Sequence, residues 1–277
     1  MFLFLYVSEV AEVFARIRRL LLGKPLPTAR QIHERLPKFL ALPVFASDAL
    51  SSVAYATEEI LLALAVVIGF AAFGTSQWIA VAIAILLGIV ALSYRQTIYA
   101  YPQGGGSYTV TKENLGIYPG LVAAASLLTD YVLTVSVSIA AGVAAIVSAY
   151  PELAQHKVLL GIMFVALVAL ANLRGVRESG WLFAPPTYIF VFSLFTMIGV
   201  GLFKAVTHAP INHITPISEP VHAAGTLTIF LVLRAFAGGC AALTGTEAIA
   251  NGIPAFRPPE SKNAATTIII MAFILGS

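Results

Sequence analysis

Charge is what this chain has least of. Asp, Glu, Lys and Arg make up 10% of its 277 residues, while hydrophobic residues make up 59% and mean hydropathy is +0.90. A soluble domain carries about 25% charged residues, so that class is excluded. Cysteine is nearly missing too. A lone Cys240 excludes an internal disulfide framework and, inside an apolar run, reads as a small packing residue. His208, His213 and His222 follow one another irregularly and match no zinc-ligand pattern. The glycine-rich stretch 101–108 lacks the Gly-Lys-Ser/Thr ending of a phosphate loop; it reads as a tight loop or gate. The alternating runs of a membrane barrel are absent.

What the chain does have is long apolar runs. Residues 60–94 carry no Asp, Glu, Lys or Arg, 118–150 only Asp130, and 179–203 none. A helix needs roughly 20 mainly apolar residues to cross a bilayer. Six spans are expected near 40–66, 77–97, 118–148, 158–173, 180–204 and 226–250. Gly74-Thr75-Ser76-Gln77 reads as the turn between the first two, and Pro185-Pro186 as a kink in the fifth. The fold class is therefore all-α, a polytopic helical membrane protein, and the charge of +3 points to orientation rather than to nucleic acid.

Lysine and arginine set that orientation. With the N-terminus inside, thirteen fall on the cytoplasmic side: Arg16, Arg18, Arg19, Lys24, Arg30, Arg35, Lys38, Arg95, Lys112, Arg174, Arg177, Arg257 and Lys262. Only Lys157 and Lys204 fall outside, and Arg234 lies within a span. The positive-inside rule then places the N-terminus in the cytoplasm. In residues 1–22 the arginines follow the apolar stretch instead of preceding it, which excludes a cleaved signal peptide and suggests an amphipathic helix on the inner surface. The apolar run 264–277 is fourteen residues long, about 21 Å as helix against a core of about 30 Å. It reads as a seventh span cut in mid-membrane, so the chain is expected to be part of a longer transporter.

Three carboxylates interrupt the apolar runs, and an acid in hydrocarbon is costly unless it faces a protein interior or a wet cavity. Asp48, Ser51, Ser52, Tyr55 and Glu59 recur on one helical face of the first span. Asp130, Tyr131, Thr134 and Ser138 share an arc of the third. In the sixth, Gly238, Gly239 and Gly245 weaken the helix just before Thr244 and Glu247; opened backbone at membrane depth is tolerated where it lines a cavity, though close packing also explains glycines. Hydroxyl, carboxylate and carbonyl oxygens are the ligands that replace the hydration shell of an alkali cation.

These residues carry a resemblance. Asp48-Ala49-Leu50-Ser51-Ser52-Val53-Ala54-Tyr55, Tyr99-Ala100-Tyr101-Pro102-Gln103-Gly104-Gly105-Gly106, Lys112-Glu113-Asn114-Leu115-Gly116, Asp130-Tyr131 with Thr134, Asn172-Leu173-Arg174-Gly175 and Ala242-Leu243-Thr244-Gly245 with Glu247 resemble the KimA family, from about residue 22 to the end. Members are bacterial high-affinity potassium uptake systems coupled to protons, in the amino acid–polyamine–organocation superfamily with the LeuT-like fold. The resemblance implies a five-helix inverted repeat truncated after the sixth span and part of the seventh. It divides the chain into a cytoplasmic N-terminal segment (1–38), the first repeat (39–206) and the start of the second (207–277). It implies a potassium site of Asp130, Tyr131, Thr134, Ser138 and Thr244, with Asp48, Tyr55 and Glu247 as proton-coupling or gating groups, no cofactor and no other metal. Members continue beyond the seventh span, form homodimers in the cell membrane and carry a cytosolic domain that answers a cyclic dinucleotide.

The function expected is secondary import of potassium with protons by alternating access. An amino acid permease of the same superfamily is the alternative. There the substrate carboxylate sits on exposed amides of a glycine-rich break in the first span, whereas 47–51 here has no glycine and an acid at its centre. An intramembrane aspartyl enzyme using Asp48 and Asp130 would leave the hydroxyl cluster without a role.

Overall fold

The computed structural model describes residues 23, 34–69, 71–208 and 225–277. In hydrocarbon the backbone must satisfy its own polar groups, which a helix does within one segment. The apolar runs accordingly form α1 (Lys38–Ile68), α2 (Ala71–Ala100), α4 (Ile117–Ala149), α5 (Lys157–Leu173), α6 (Val176–Thr207) and α7 (Ile229–Gly239). The more polar α3 (Gly106–Leu115), the single turn α8 (Ala248–Asn251) and α9 (Glu260–Gly276) complete the set. Among the described residues there is no strand; Leu36 and Phe256 form one isolated parallel bridge. Among the described residues six segments are long and apolar enough to cross a membrane: Lys38–Ile68, Ala71–Ala100, Ile117–Ala149, Pro151–Leu173, Val176–Thr207 and Ile229–Asn251. The chain is an all-α, polytopic helical membrane protein.

The span boundaries agree with expectation to within a few residues, with one correction. Gly74-Thr75-Ser76-Gln77 is no turn; it lies inside α2. Thr75 and Ser76 donate their hydroxyls to the carbonyls of Ala71 (3.2 Å) and Phe73 (2.9 Å), so the helix absorbs its own polar side chains. The chain instead turns at Gly69, whose φ of 57° suits glycine and whose N–H caps Ala65 at 3.0 Å. α6 continues through Pro185 and Pro186 as one element. Residues 1–22, His213 and His222 lie outside the described residues, as does most of the segment 1–38.

α1 is the central helix, packed against α2, α6, α7 and α9. Its N-terminal half joins a cluster with Leu36, Ile98, Ile253, Phe256 and Met271 at the centre. Its C-terminal half joins a second cluster with Ile60, Leu64, Ile79, Ile83 and Ala235. Between the two, around residues 51–55, the packing is polar. The N-terminal end of the first span and the C-terminal end of the sixth are tied by backbone: Leu36 N–H donates to Ala255 O (2.7 Å) and Arg257 N–H to Leu36 O (3.0 Å). An Arg35–Glu260 ion pair lies beside them. α4, α5 and α6 leave large apolar side chains such as Val132, Ile162 and Phe192 exposed.

Candidate functional site

The sixth span comes apart where its glycines sit. α7 stops at Gly239, a short 3-10 turn covers Cys240–Leu243, and Thr244 is extended at φ −62°, ψ 148°. Gly245 follows at φ 75°, and helix resumes only at Ala248. The glycines serve two different ends. A Cβ on Gly239 would stand 2.5 Å from Ile83 and 2.6 Å from Ile60, so this glycine permits close packing. Gly245 supplies the left-handed backbone that ends the helix, and its Cα presses on Asp48: a Cβ there would lie 2.7 Å from the Asp48 carboxylate.

The break faces the hydroxyl stripe of α1, which itself runs unbroken from Lys38 to Ile68. Ser52 Oγ lies 2.8 Å from Thr244 Oγ1 and 3.0 Å from Tyr55 Oη, while Thr244 Oγ1 donates to Ala241 O at 2.7 Å. Each hydroxyl has a single proton. With the proton of Thr244 committed to Ala241, Ser52 donates to Thr244 and Tyr55 donates to Ser52. The relay runs through Thr244 to Ala241 O and leaves Thr244 Oγ1 one lone pair. Ser51 donates to Asp48 O (2.8 Å) and reaches Ser138 Oγ on α4 at 3.4 Å, joining the first span to the third.

The third span approaches the same break. Tyr131 Oη accepts from Asn251 Nδ2 at 2.8 Å, and the Glu247 carboxylate lies near the same hydroxyl. Glu247 is 6% exposed, and its Oε1 is buried with no hydrogen-bond partner among the described residues. Asp48, Asp130 and Glu247 lie within electrostatic range of one another. The ion pair between Arg35 and Glu260 involves none of the three. Thr134 is buried one helical turn beyond Tyr131.

Of the eight sequence-predicted residues, hydrogen bonds or electrostatic proximity link Asp48, Tyr55, Asp130, Tyr131, Ser138, Thr244 and Glu247 with one another or with neighbours on the first, third and sixth spans, and Thr134 is buried one turn from Tyr131. Two others belong with them. Ser52, part of the predicted stripe, is the direct bridge to Thr244. Asn251 was not singled out, and its only sequence signal is the turn-forming pair Asn251-Gly252 one helical turn after Glu247. The glycine loop closes the site from the side of α2: Gly104 and Gly105 have φ of 83° and 98°, and Ser107 and Tyr94 hydroxyls lie 3.1 Å apart. Gly104 sits so close to Asn251 that a Cβ would lie 2.8 Å from its carbonyl oxygen. On the opposite side a cavity of about 390 Å³ opens between α1, α4 and α6, lined in part by Ser47, Ser51, Tyr55, Glu58 and Ser138. Among the described residues, no cluster of three or more His, Cys, Asp or Glu side chains is placed to hold a metal ion.

Two comparisons accord with this arrangement. The potassium transporter KimA of Bacillus subtilis (strain 168) is 52% identical over 267 residues, which is 95% of this chain and 43% of KimA. The chain thus spans less than half the length of that relative. The family model for amino acid permeases, transporters and not enzymes, matches residues 43–277, from the N-terminal part of α1 through the broken sixth span and α9. A polytopic bundle with that match over most of its length belongs to the amino acid permease family.

Proposed function

We propose that this chain supplies the ion-binding part of a secondary transporter that imports potassium coupled to protons. One observation carries the reading: Glu247 holds an unpartnered buried carboxylate oxygen beside two more acids and a set of hydroxyls. Three carboxylates in a low-dielectric setting are tolerable only when cations or protons offset them. Hydroxyl and carboxylate oxygens are the ligands that suit a bare alkali cation.

In this reading Asp130, Tyr131, Thr134, Ser138 and Thr244 hold the dehydrated ion. Asp48 and Glu247 exchange protons as the site opens to each side in turn. Tyr55 is the gate, because its hydroxyl is bonded to Ser52 in the site while its side chain lines the cavity. Glu58, exposed on that cavity's lining, would draw cations inward. The first and sixth spans move together, bonded at mid-membrane through Ser52–Thr244 and at the inner end through Leu36 and Phe256. They rock against a scaffold containing the third span.

The same reading takes residues 39–206 as one five-helix repeat and 207–277 as the start of its inverted partner. It puts the N-terminus in the cytoplasm by the lysine and arginine bias, the protein in the cell membrane, and the full-length protein in a homodimer. An amino acid carrier of the same family is the second reading, and the family description favours it. Against it stands α1. An unbroken helix offers no freed amides to a substrate carboxylate, and Asp48 at its centre repels one. Uptake of potassium and of amino acids into proteoliposomes of the full-length protein separates the two.

A further inference from the structure

Asn251 ends α8 and touches two parts of the site at once. Its Nδ2 donates to Tyr131 Oη at 2.8 Å. Its other atoms face the glycine loop: the backbone carbonyl lies against Gly104, and Oδ1 lies so close to Gly106 that a Cβ there would collide with it. An amide nitrogen only donates. Tyr131 must therefore accept from Asn251, which turns the phenol's own proton away from Asn251 and leaves it for another acceptor, Glu247 being the carboxylate nearby. The charged and titratable groups around this pair are Asp48 on α1, Tyr94 on α2 and Asp130 on α4. None of them supplies a donor to Tyr131.

We propose that Asn251 is a positioning residue for cation binding. It fixes the rotation of the Tyr131 hydroxyl so that the proton serves Glu247 and a lone pair stays free for the ion, and it couples that orientation to the seating of the glycine loop. The proposal rests on the potassium reading given above. Asn251 does not itself contact the ion.

The test uses the full-length protein in proteoliposomes, with potassium uptake measured over a range of potassium concentrations. Asn251→Leu keeps the branched shape against Gly106 and removes the donor without adding charge. It raises KM for potassium about tenfold and changes the maximal rate by no more than about twofold. In a Tyr131→Phe background the same substitution adds nothing, because the hydroxyl it orients is gone. Should Asn251→Leu fail to assemble, Asn251→Ala in the same two backgrounds carries the test. An unchanged KM in the single variant, or full additivity with Tyr131→Phe, overturns the positioning role alone. Wild-type protein that takes up no potassium overturns the potassium reading and this proposal with it.

Discussion

Ser52 and Thr244, 192 residues apart in sequence, share a 2.8 Å hydrogen bond at mid-membrane. It fastens the centre of an unbroken first span to the break in the sixth. Tyr55 donates into the bond and Ala241 O ends it, so the chain of protons has a defined direction.

Thr244→Val removes the last hydroxyl of that relay. Potassium KM rises about tenfold, as expected when one ligand and one hydrogen bond are lost, while Thr244→Ser stays within about threefold because the hydroxyl remains. Concentration-dependent uptake by the two variants checks this. Equal behaviour of Val and Ser would place Thr244 outside the site.

Ser52→Ala leaves Tyr55 without its acceptor and Thr244 without its donor in a buried setting. The cost is about 1–3 kcal/mol, read as a lower melting temperature in detergent. The double variant Ser52→Ala with Thr244→Val costs less than the sum of the two separate losses, since the pair is coupled.

Gly245→Ala meets two obstacles together, a φ of 75° and the carboxylate of Asp48 directly behind the backbone. The strain costs about 1–3 kcal/mol and displaces Asp48. Uptake is lost while membrane insertion, followed by yield in the membrane fraction, stays normal. Gly238→Ala is the control, because its Cβ would find only ordinary contact, 3.7 Å from Glu59.

Tyr188 addresses the N-terminal half of the first span. Pro43 has no N–H, so the carbonyl of Phe39 four residues earlier loses its helical partner; Tyr188 Oη donates to that carbonyl at 2.7 Å. Tyr188→Phe costs about 1–2 kcal/mol, and Pro43→Ala recovers part of it by returning an N–H to the helix. Thermal unfolding of the two single variants and the double variant decides the matter, and a Pro43→Ala change with no recovery counts against this account.

Glu247→Gln keeps the size of the side chain and removes a carboxylate that can take up and release a proton. The pH dependence of uptake flattens compared with wild type. A pH profile identical to wild type would assign proton coupling to Asp48 or Asp130 instead.

Much of this site is legible in sequence because it lies on regular helices. Asp48, Ser51, Ser52 and Tyr55 recur with the helical period, and α1 holds that period without a break, so the stripe faces one way in space as it does on paper. The sixth span is different. Its glycines announce a disturbance, but only the structure separates Gly239, which packs against Ile60 and Ile83, from Gly245, which turns the chain. Past the turn the helical period no longer predicts direction. For that reason Glu247 was visible as an isolated acid, while Asn251, one helical turn later, was not visible as a partner of Tyr131. Gly74-Thr75-Ser76-Gln77 shows the opposite error: residues typical of turns stay helical when their hydroxyls can bond to the carbonyls of the preceding turn.

The most direct test of the cation site is radiolabelled potassium uptake by the full-length protein in proteoliposomes, with and without an inward proton gradient and with amino acids as competitors. Saturable uptake that the proton gradient raises, that amino acids leave unchanged and that Asp130→Asn weakens is the predicted result. Amino acid uptake that proceeds without potassium, in a protein whose potassium flux is absent or indifferent to Asp130→Asn, would contradict it.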